Sequence, residues 1–137
     1  MQPVRVARTL DGVSGEFQEF WTERHLCVLV TLRADGSPHV VPVGVTLDVE
    51  AGLARVIGRG GSVKARNAAA RGVAVVSQVD GRRWSTLEGD AVVRADRAAV
   101  AEAERRYAQR YRQPRENPKR VVLIMEVTGL LGSSRLG

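Results

Sequence analysis

The chain of 137 residues holds one cysteine, two histidines and only 4% aromatic residues, and each scarcity removes a class of function. Cys27 alone cannot close an internal disulfide. With only His25 and His39 beside scattered carboxylates, no thiolate or multi-histidine metal site is expected. Cys27 lies in the apolar run Leu26 to Val30 and reads as a small buried hydrophobe. So few aromatics cannot supply the interleaved stacking platforms of single-strand nucleic-acid binders. No apolar run approaches the roughly 20 residues needed to cross a bilayer. Met1-Gln2-Pro3-Val4-Arg5 leads into no signal-like segment, so the expectation is a cytoplasmic protein with no membrane and no nucleic-acid partner. A Gly-x-Ser-x-Gly elbow, a spaced Cys/His pair and a P-loop ending are also missing, which removes hydrolase and nucleotide triphosphatase readings.

What is present is enough for one core. At 44% hydrophobic, the chain is expected to form a single domain over residues 13–137 behind a flexible arm over 1–12. The formal net charge is +6, and every cation except Lys64 and Lys119 is arginine. Guanidinium forks suit phosphates and carboxylates. Net charge alone leaves a basic nucleic-acid binder as an alternative, which salt-sensitive retention would have to support.

The hydrophobic period predicts six strands. Phe17, Phe20 and Trp21 fall at helical spacing within Ser14 to Glu23. Leu26, Val28, Val30 and Leu32 then share one face of a first strand. Asp35-Gly36 turns the chain into a second strand carrying Val41, Val43, Val45 and Leu47. Leu53 to Gly58 is a third strand. An alanine-rich helix from Val63 to about Ala70 follows, closed by Gly72. Val73 to Val79 and Arg83 to Arg94 pair through Asp80-Gly81, with a bulge expected at Gly89. Asp96 caps a helix, and Val121 to Val127 is the sixth strand. Turn-rich connections with few helices point to a mainly β fold with flanking helices, an antiparallel Greek-key barrel.

The chemistry concentrates in Val56-Ile57-Gly58-Arg59-Gly60-Gly61-Ser62-Val63-Lys64, where a strand breaks into glycines and restarts as a helix. N–H groups freed by Gly60 and Gly61, the helix start at Ser62 and the charges of Arg59 and Lys64 can converge on a phosphate. On the second strand, Pro42 and Gly44 stand opposite the valines, so His39 to Gly44 can form a flat apolar wall against a planar ring. Few acid–base groups surround these segments. That is the inventory of an enzyme whose cofactor carries the chemistry.

These motifs occur together in an ordered set: Thr22 to Leu26, Thr31 to Gly44, Gly60 to Asn67, Ser77 to Gly81, Trp84, Leu87-Glu88-Gly89 and Arg106 to Arg112. As a set they resemble the actinobacterial deazaflavin-dependent (coenzyme F420) reductases of the pyridoxamine-5'-phosphate-oxidase-like superfamily, and within it the F420-dependent biliverdin reductase group. The resemblance implies a split β-barrel of the FMN-binding type, a homodimer with cofactor sites between subunits, and a hydride carried from reduced F420 to a conjugated small-molecule acceptor such as biliverdin. It assigns His39, Val40, Val41, Pro42 and Val43 to the ring and side chain, and Ile57, Gly58 and Arg59 to the same wall. Ser62, Val63 and Lys64 would hold the cofactor phosphate. Gln78, Ser85, Thr86, Leu87, Glu88 and Gly89 would border the site. No side chain is assigned as a catalytic acid. The sequence departs from the group at Ile57-Gly58-Arg59, where two hydroxyl residues are expected, and at Pro42, where alanine is expected. FMN on the same scaffold, or a carrier that binds F420 or a tetrapyrrole without turnover, are the alternatives.

Overall fold

In the computed structural model, residues 4–5, 10–134 and 136 are described, so most of the expected arm lies outside the described residues. The elements in chain order are β1 (Val4–Arg5), α1 (Gly15–Phe20), β2 (Cys27–Leu32), β3 (Pro38–Val43), β4 (Thr46–Asp48) and β5 (Leu53–Arg59). They continue with α2 (Val63–Arg71), β6 (Val73–Asp80), β7 (Arg83–Arg94), α3 (Arg97–Arg110) and β8 (Arg120–Gly132).

All pairings are antiparallel, in the order β3-β2-β6-β7-β8-β5-β4, with β1 added on β8. β3 and β4 are consecutive in the chain yet stand at opposite ends of this sheet. The chain crosses between those ends at Gly44–Val45, and the sheet curls into an open, split barrel. The expected single second strand is therefore two. The break has a physical cause on α3. A Cβ on Gly44 would lie 2.8 Å from Tyr107 Cε2 and 3.0 Å from Tyr111 Cε2, so glycine admits the two rings. Val45, out of the ladder, donates its N–H to the Tyr111 hydroxyl at 3.1 Å, and its carbonyl accepts from Arg110 Nη1 at 2.7 Å. The backbone groups lost to the sheet are satisfied by side chains.

Leu26 and, in β2, Val28, Val30 and Leu32 do share one face, and it is the outer one. Cys27, Leu29 and Thr31 are 1%, 0% and 1% exposed, whereas Leu26 and Val28 are 71% and 39% exposed. Both faces are apolar, so periodicity finds the strand without finding its inner side. Thr31 is held inside because its hydroxyl accepts from Asn67 Nδ2 of α2 at 3.2 Å. The core is built by Phe17, Phe20, Leu29, Val76, Leu87 and Met125.

Local signals place the remaining boundaries. Ser14, Ser62 and Asp96 each cap their helix by accepting a backbone N–H, from Phe17, Ala65 and Ala99. Gly72 ends α2 at φ 71°, a left-handed conformation that favours glycine. The expected irregularity in β7 is a register shift against β8 between Glu88 and Gly89. Among the described residues, no helix is long and apolar enough to cross a membrane.

Candidate functional site

The glycine loop builds a cationic cradle, though not from every group expected to contribute. Gly60 N–H donates to the Lys119 carbonyl at 3.1 Å and Ser62 N–H to the Arg59 carbonyl at 3.0 Å, which removes both from any ligand. The Ser62 hydroxyl is engaged by Ala65 N–H at 3.3 Å. The first turn of α2 leaves the N–H groups of Val63 and Lys64 as its open donors, as at any helix start. Lys64 folds back over β5, so that a Cβ on Gly58 would lie 3.2 Å from its ammonium. Neither Lys64 nor Arg59 makes an ion pair among the described residues. Half-burial, then the neighbouring Arg59 charge, hold the Lys64 ammonium below the usual lysine value. Two cations that pair with no carboxylate among the described residues, beside open helix N–H groups, fit a phosphate oxyanion.

A second feature is a sheet face. Register sets Pro42, Val28, Ser77, Thr86 and Leu131 in one row across β3, β2, β6, β7 and β8, beside the row Val40, Val30, Val75, Glu88 and Gly129. Four residues assigned to the site, Val40, Pro42, Thr86 and Glu88, therefore share this face. It is mostly apolar: Val40 is 56% exposed and, on the same side, Val79 is 67% exposed. Its polar positions are the Ser77–Thr86 hydroxyl pair at 2.7 Å and Glu88, which lies across Gly129.

Other assigned residues point inward. Val43, Ser85 and Leu87 are buried, and Val41 packs against the core. Ser85 accepts from the Trp21 indole at 3.0 Å. Gln78, 2% exposed, donates to the Phe20 carbonyl at 2.9 Å and accepts from Arg110 Nη2 at 2.7 Å. Both ends of its amide are thus engaged inside the protein rather than along an open edge. Gly89 sits where a Cβ would meet the Glu126 carbonyl oxygen, so its role is to let β8 approach. His39 stands opposite Thr31, half-buried, with Nδ1 unpaired. Ile57 faces β8 at Val122, and Arg59 ends β5 in solvent.

Two clusters have no signature in the sequence. Ligand atoms of Glu23, His25 and Asp80 lie within 4.8 Å of one another, and Arg83 occupies that cluster, reaching Glu23 at 2.9 Å and Asp80 at 2.5 Å. Hydrogen bonds from Arg83 and then His25 pull the Glu23 carboxyl down to about 2. Beside it, between α1 and the β6–β7 turn, opens a cavity of about 520 Å³ lined by Glu16, Glu19, Arg82 and Arg83. The second cluster centres on Arg110, 7% exposed, whose guanidinium, among the described residues, meets neutral acceptors: the carbonyls of Glu23, Val45 and, at 3.5 Å, Phe20, and the Gln78 amide.

The sequence pattern of a known family, described as pyridoxamine 5'-phosphate oxidase, matches residues 13–132. The chain belongs to the pyridoxamine 5'-phosphate oxidase family. A relative, the F420H(2)-dependent biliverdin reductase of Mycobacterium tuberculosis (strain CDC 1551 / Oshkosh), is 54% identical over 131 residues, covering 96% of each chain. Among solved structures, an F420 reductase superposes with a TM-score of 0.71 at 20% identity, over 87% of this chain and 98% of that one. A conserved hypothetical protein from Mycobacterium tuberculosis superposes with a TM-score of 0.77 at 18% identity, over 96% and 90%. At those identities the structural likeness speaks for the fold. In this member of the pyridoxamine 5'-phosphate oxidase family, the cradle at Lys64 and the uncovered sheet face are the two features suited to a phosphate-bearing, planar cofactor.

Proposed function

We propose that the protein is a coenzyme F420-dependent reductase acting on a conjugated acceptor of the biliverdin type, as a homodimer with its cofactor sites between subunits. The observation that carries this reading is the 54% identity, over 96% of both chains, to an F420H(2)-dependent biliverdin reductase. When bound, the deazaflavin supplies the hydride.

The chain's own residues bind, orient and exclude water. Lys64 and the open N–H groups of Val63 and Lys64 hold the phosphate, and Arg59 attracts further carboxylates of the cofactor tail. The rows through Val40, Val30 and Val75 and through Pro42 and Val28 offer a dry wall on which a ring and an acceptor carbon can be held within about 3–3.5 Å of each other. The same face would also form the dimer interface. Leu26, Val28, Val40 and Val79 are 71%, 39%, 56% and 67% exposed in the single chain, and a second copy would cover them. Exposed Arg82 adds positive charge for an acceptor bearing carboxylates.

Titration of the purified protein with F420 and, separately, with FMN tests the cofactor. Reduced F420 with biliverdin then tests the reaction. Micromolar F420 binding with oxidation of the reduced cofactor is expected. Retention of yellow FMN without F420 binding would move the protein to the flavin branch, and binding without turnover would make it a carrier.

A further inference from the structure

Lys64 reaches its position through a gap in β5. On the inner side of that strand, Ala54 and Val56 are 1% and 2% exposed, and the next inward position is Gly58. The space a side chain would fill there is taken by Lys64: a Cβ would lie 2.9 Å from Lys64 Cε and 3.2 Å from Nζ. The apolar stem of the lysine thus completes the strand's buried face while its charge stays at the rim.

Gly58 is not required by its backbone. It pairs regularly with Val121 and is not among the glycines with positive φ. In a strand interior glycine weakens the element relative to alanine, so local stability argues against it. Its contribution is the space given to Lys64. Arg59, from the end of the same strand, is the charged group whose field Lys64 feels. Lys119, on the neighbouring loop, offers its carbonyl to Gly60, and its own side chain is exposed.

We infer that Gly58 is a positioning residue of the anion cradle: by leaving its strand face empty it lets the Lys64 stem lie against β5 and holds the ammonium at the rim, where its charge and the open N–H groups of the first turn of α2 act together on one phosphate group. Any side chain at 58 lifts the ammonium away from those donors and loosens phosphate. The inference rests on the phosphate reading of the proposed function and not on which cofactor bears the phosphate.

The chain has only two lysines, which makes the test direct. In protein labelled with 13C,15N-lysine, the Cε–Hε signals of Lys64 and Lys119 are followed during titration with inorganic phosphate. In the wild type, phosphate should shift the Lys64 signal and leave Lys119 in place. In Gly58→Ala and Gly58→Ser the phosphate Kd should rise about tenfold, the scale of one charge-assisted hydrogen bond. The Lys64 titration midpoint should also move up toward that of a solvated lysine. Melting temperature should hold, because the displaced atoms are the far end of a flexible side chain. An unmoved Lys64 signal in the wild type, or unchanged phosphate affinity and midpoint in both variants, would overturn the inference. Phosphate binding at Lys64 without any F420 binding would sink the reductase reading alone. F420 binding that neither variant alters would sink only the role of Gly58.

Discussion

Replacing Arg110 should destabilise the protein more than its position near the end of a helix suggests. Its guanidinium donates to the Glu23 carbonyl at 2.8 Å, the Val45 carbonyl at 2.7 Å and Gln78 Oε1 at 2.7 Å. It also stands 5.4 Å from the Trp21 ring and 5.2 Å from the Tyr111 ring. A fourth, long contact to the Phe20 carbonyl at 3.5 Å matters little, since that carbonyl also accepts from Gln78 Nε2 at 2.9 Å. In Arg110→Met the three close acceptors fare differently. The Glu23 carbonyl loses the side-chain donor recorded for it. The Val45 carbonyl keeps a longer bond from Tyr111 at 3.2 Å, and Gln78 keeps the weak Cys27 thiol at 3.2 Å. Leaving a buried acceptor unpaired costs about 1–3 kcal/mol, and losing one of two partners about 1 kcal/mol. The sum, with the lost ring contacts and the relief of no longer burying a charge, is about 3–5 kcal/mol, as for breaking other buried charged networks. That is a large part of the roughly 5–15 kcal/mol available to a domain. Urea unfolding followed by tryptophan fluorescence is the assay, since Trp21 reports from inside the cluster. Arg110→Lys should recover little, because an ammonium cannot span three acceptors in the guanidinium plane. A loss under 1 kcal/mol in Arg110→Met, or full rescue by lysine, would refute the reasoning. It would also mean that α3 is not what pins the Gly44–Val45 crossing, which sets β3 and its half of the apolar wall.

Three further predictions follow from separate observations. In Gly89→Ala the new methyl would be placed 1.8 Å from the Glu126 carbonyl oxygen, a backbone atom that cannot swing away. The melting curve should show a loss of about 3 kcal/mol or more. The Glu23 carboxyl titrates at about 2 instead of 4.5, so the folded state binds this proton less readily than the unfolded chain. Its contribution is then complete above about 4.5 and falls away as pH drops toward about 2, and acid titration of Glu23→Gln should show a shallower acid limb than wild type. Val28→Glu places a charge in the middle of the exposed row, and sedimentation should show a folded monomer where a dimer is expected of the wild type; a dimeric variant would move the interface elsewhere.

How much of this was readable from residues follows the range of the interactions. Ser62, Asp96, Gly72 and the Gly89 bulge were legible because capping, left-handed turns and strand breaks are decided within a few residues. The inner side of β2 was not, since Leu26-Cys27-Val28-Leu29-Val30 is apolar on both faces and Asn67, 36 positions away, holds Thr31 inside. The split at Gly44 is hidden for the same reason: glycine signals close approach, and the approaching groups, Tyr107 and Tyr111, come from more than 60 positions away in the chain. Gln78 and Ser85 look like polar edge residues until Arg110 and Trp21 close on them. At the cradle, the sequence located the cations, while the fold decided which N–H groups remain open.

The most direct test of the account is an anaerobic mixture of the purified protein, reduced F420 and biliverdin, watched through the absorbance of the cofactor. The account predicts stoichiometric oxidation of reduced F420 that requires the protein and weakens when Lys64 is changed to methionine. Tight F420 binding with no oxidation by biliverdin or any conjugated acceptor would contradict it.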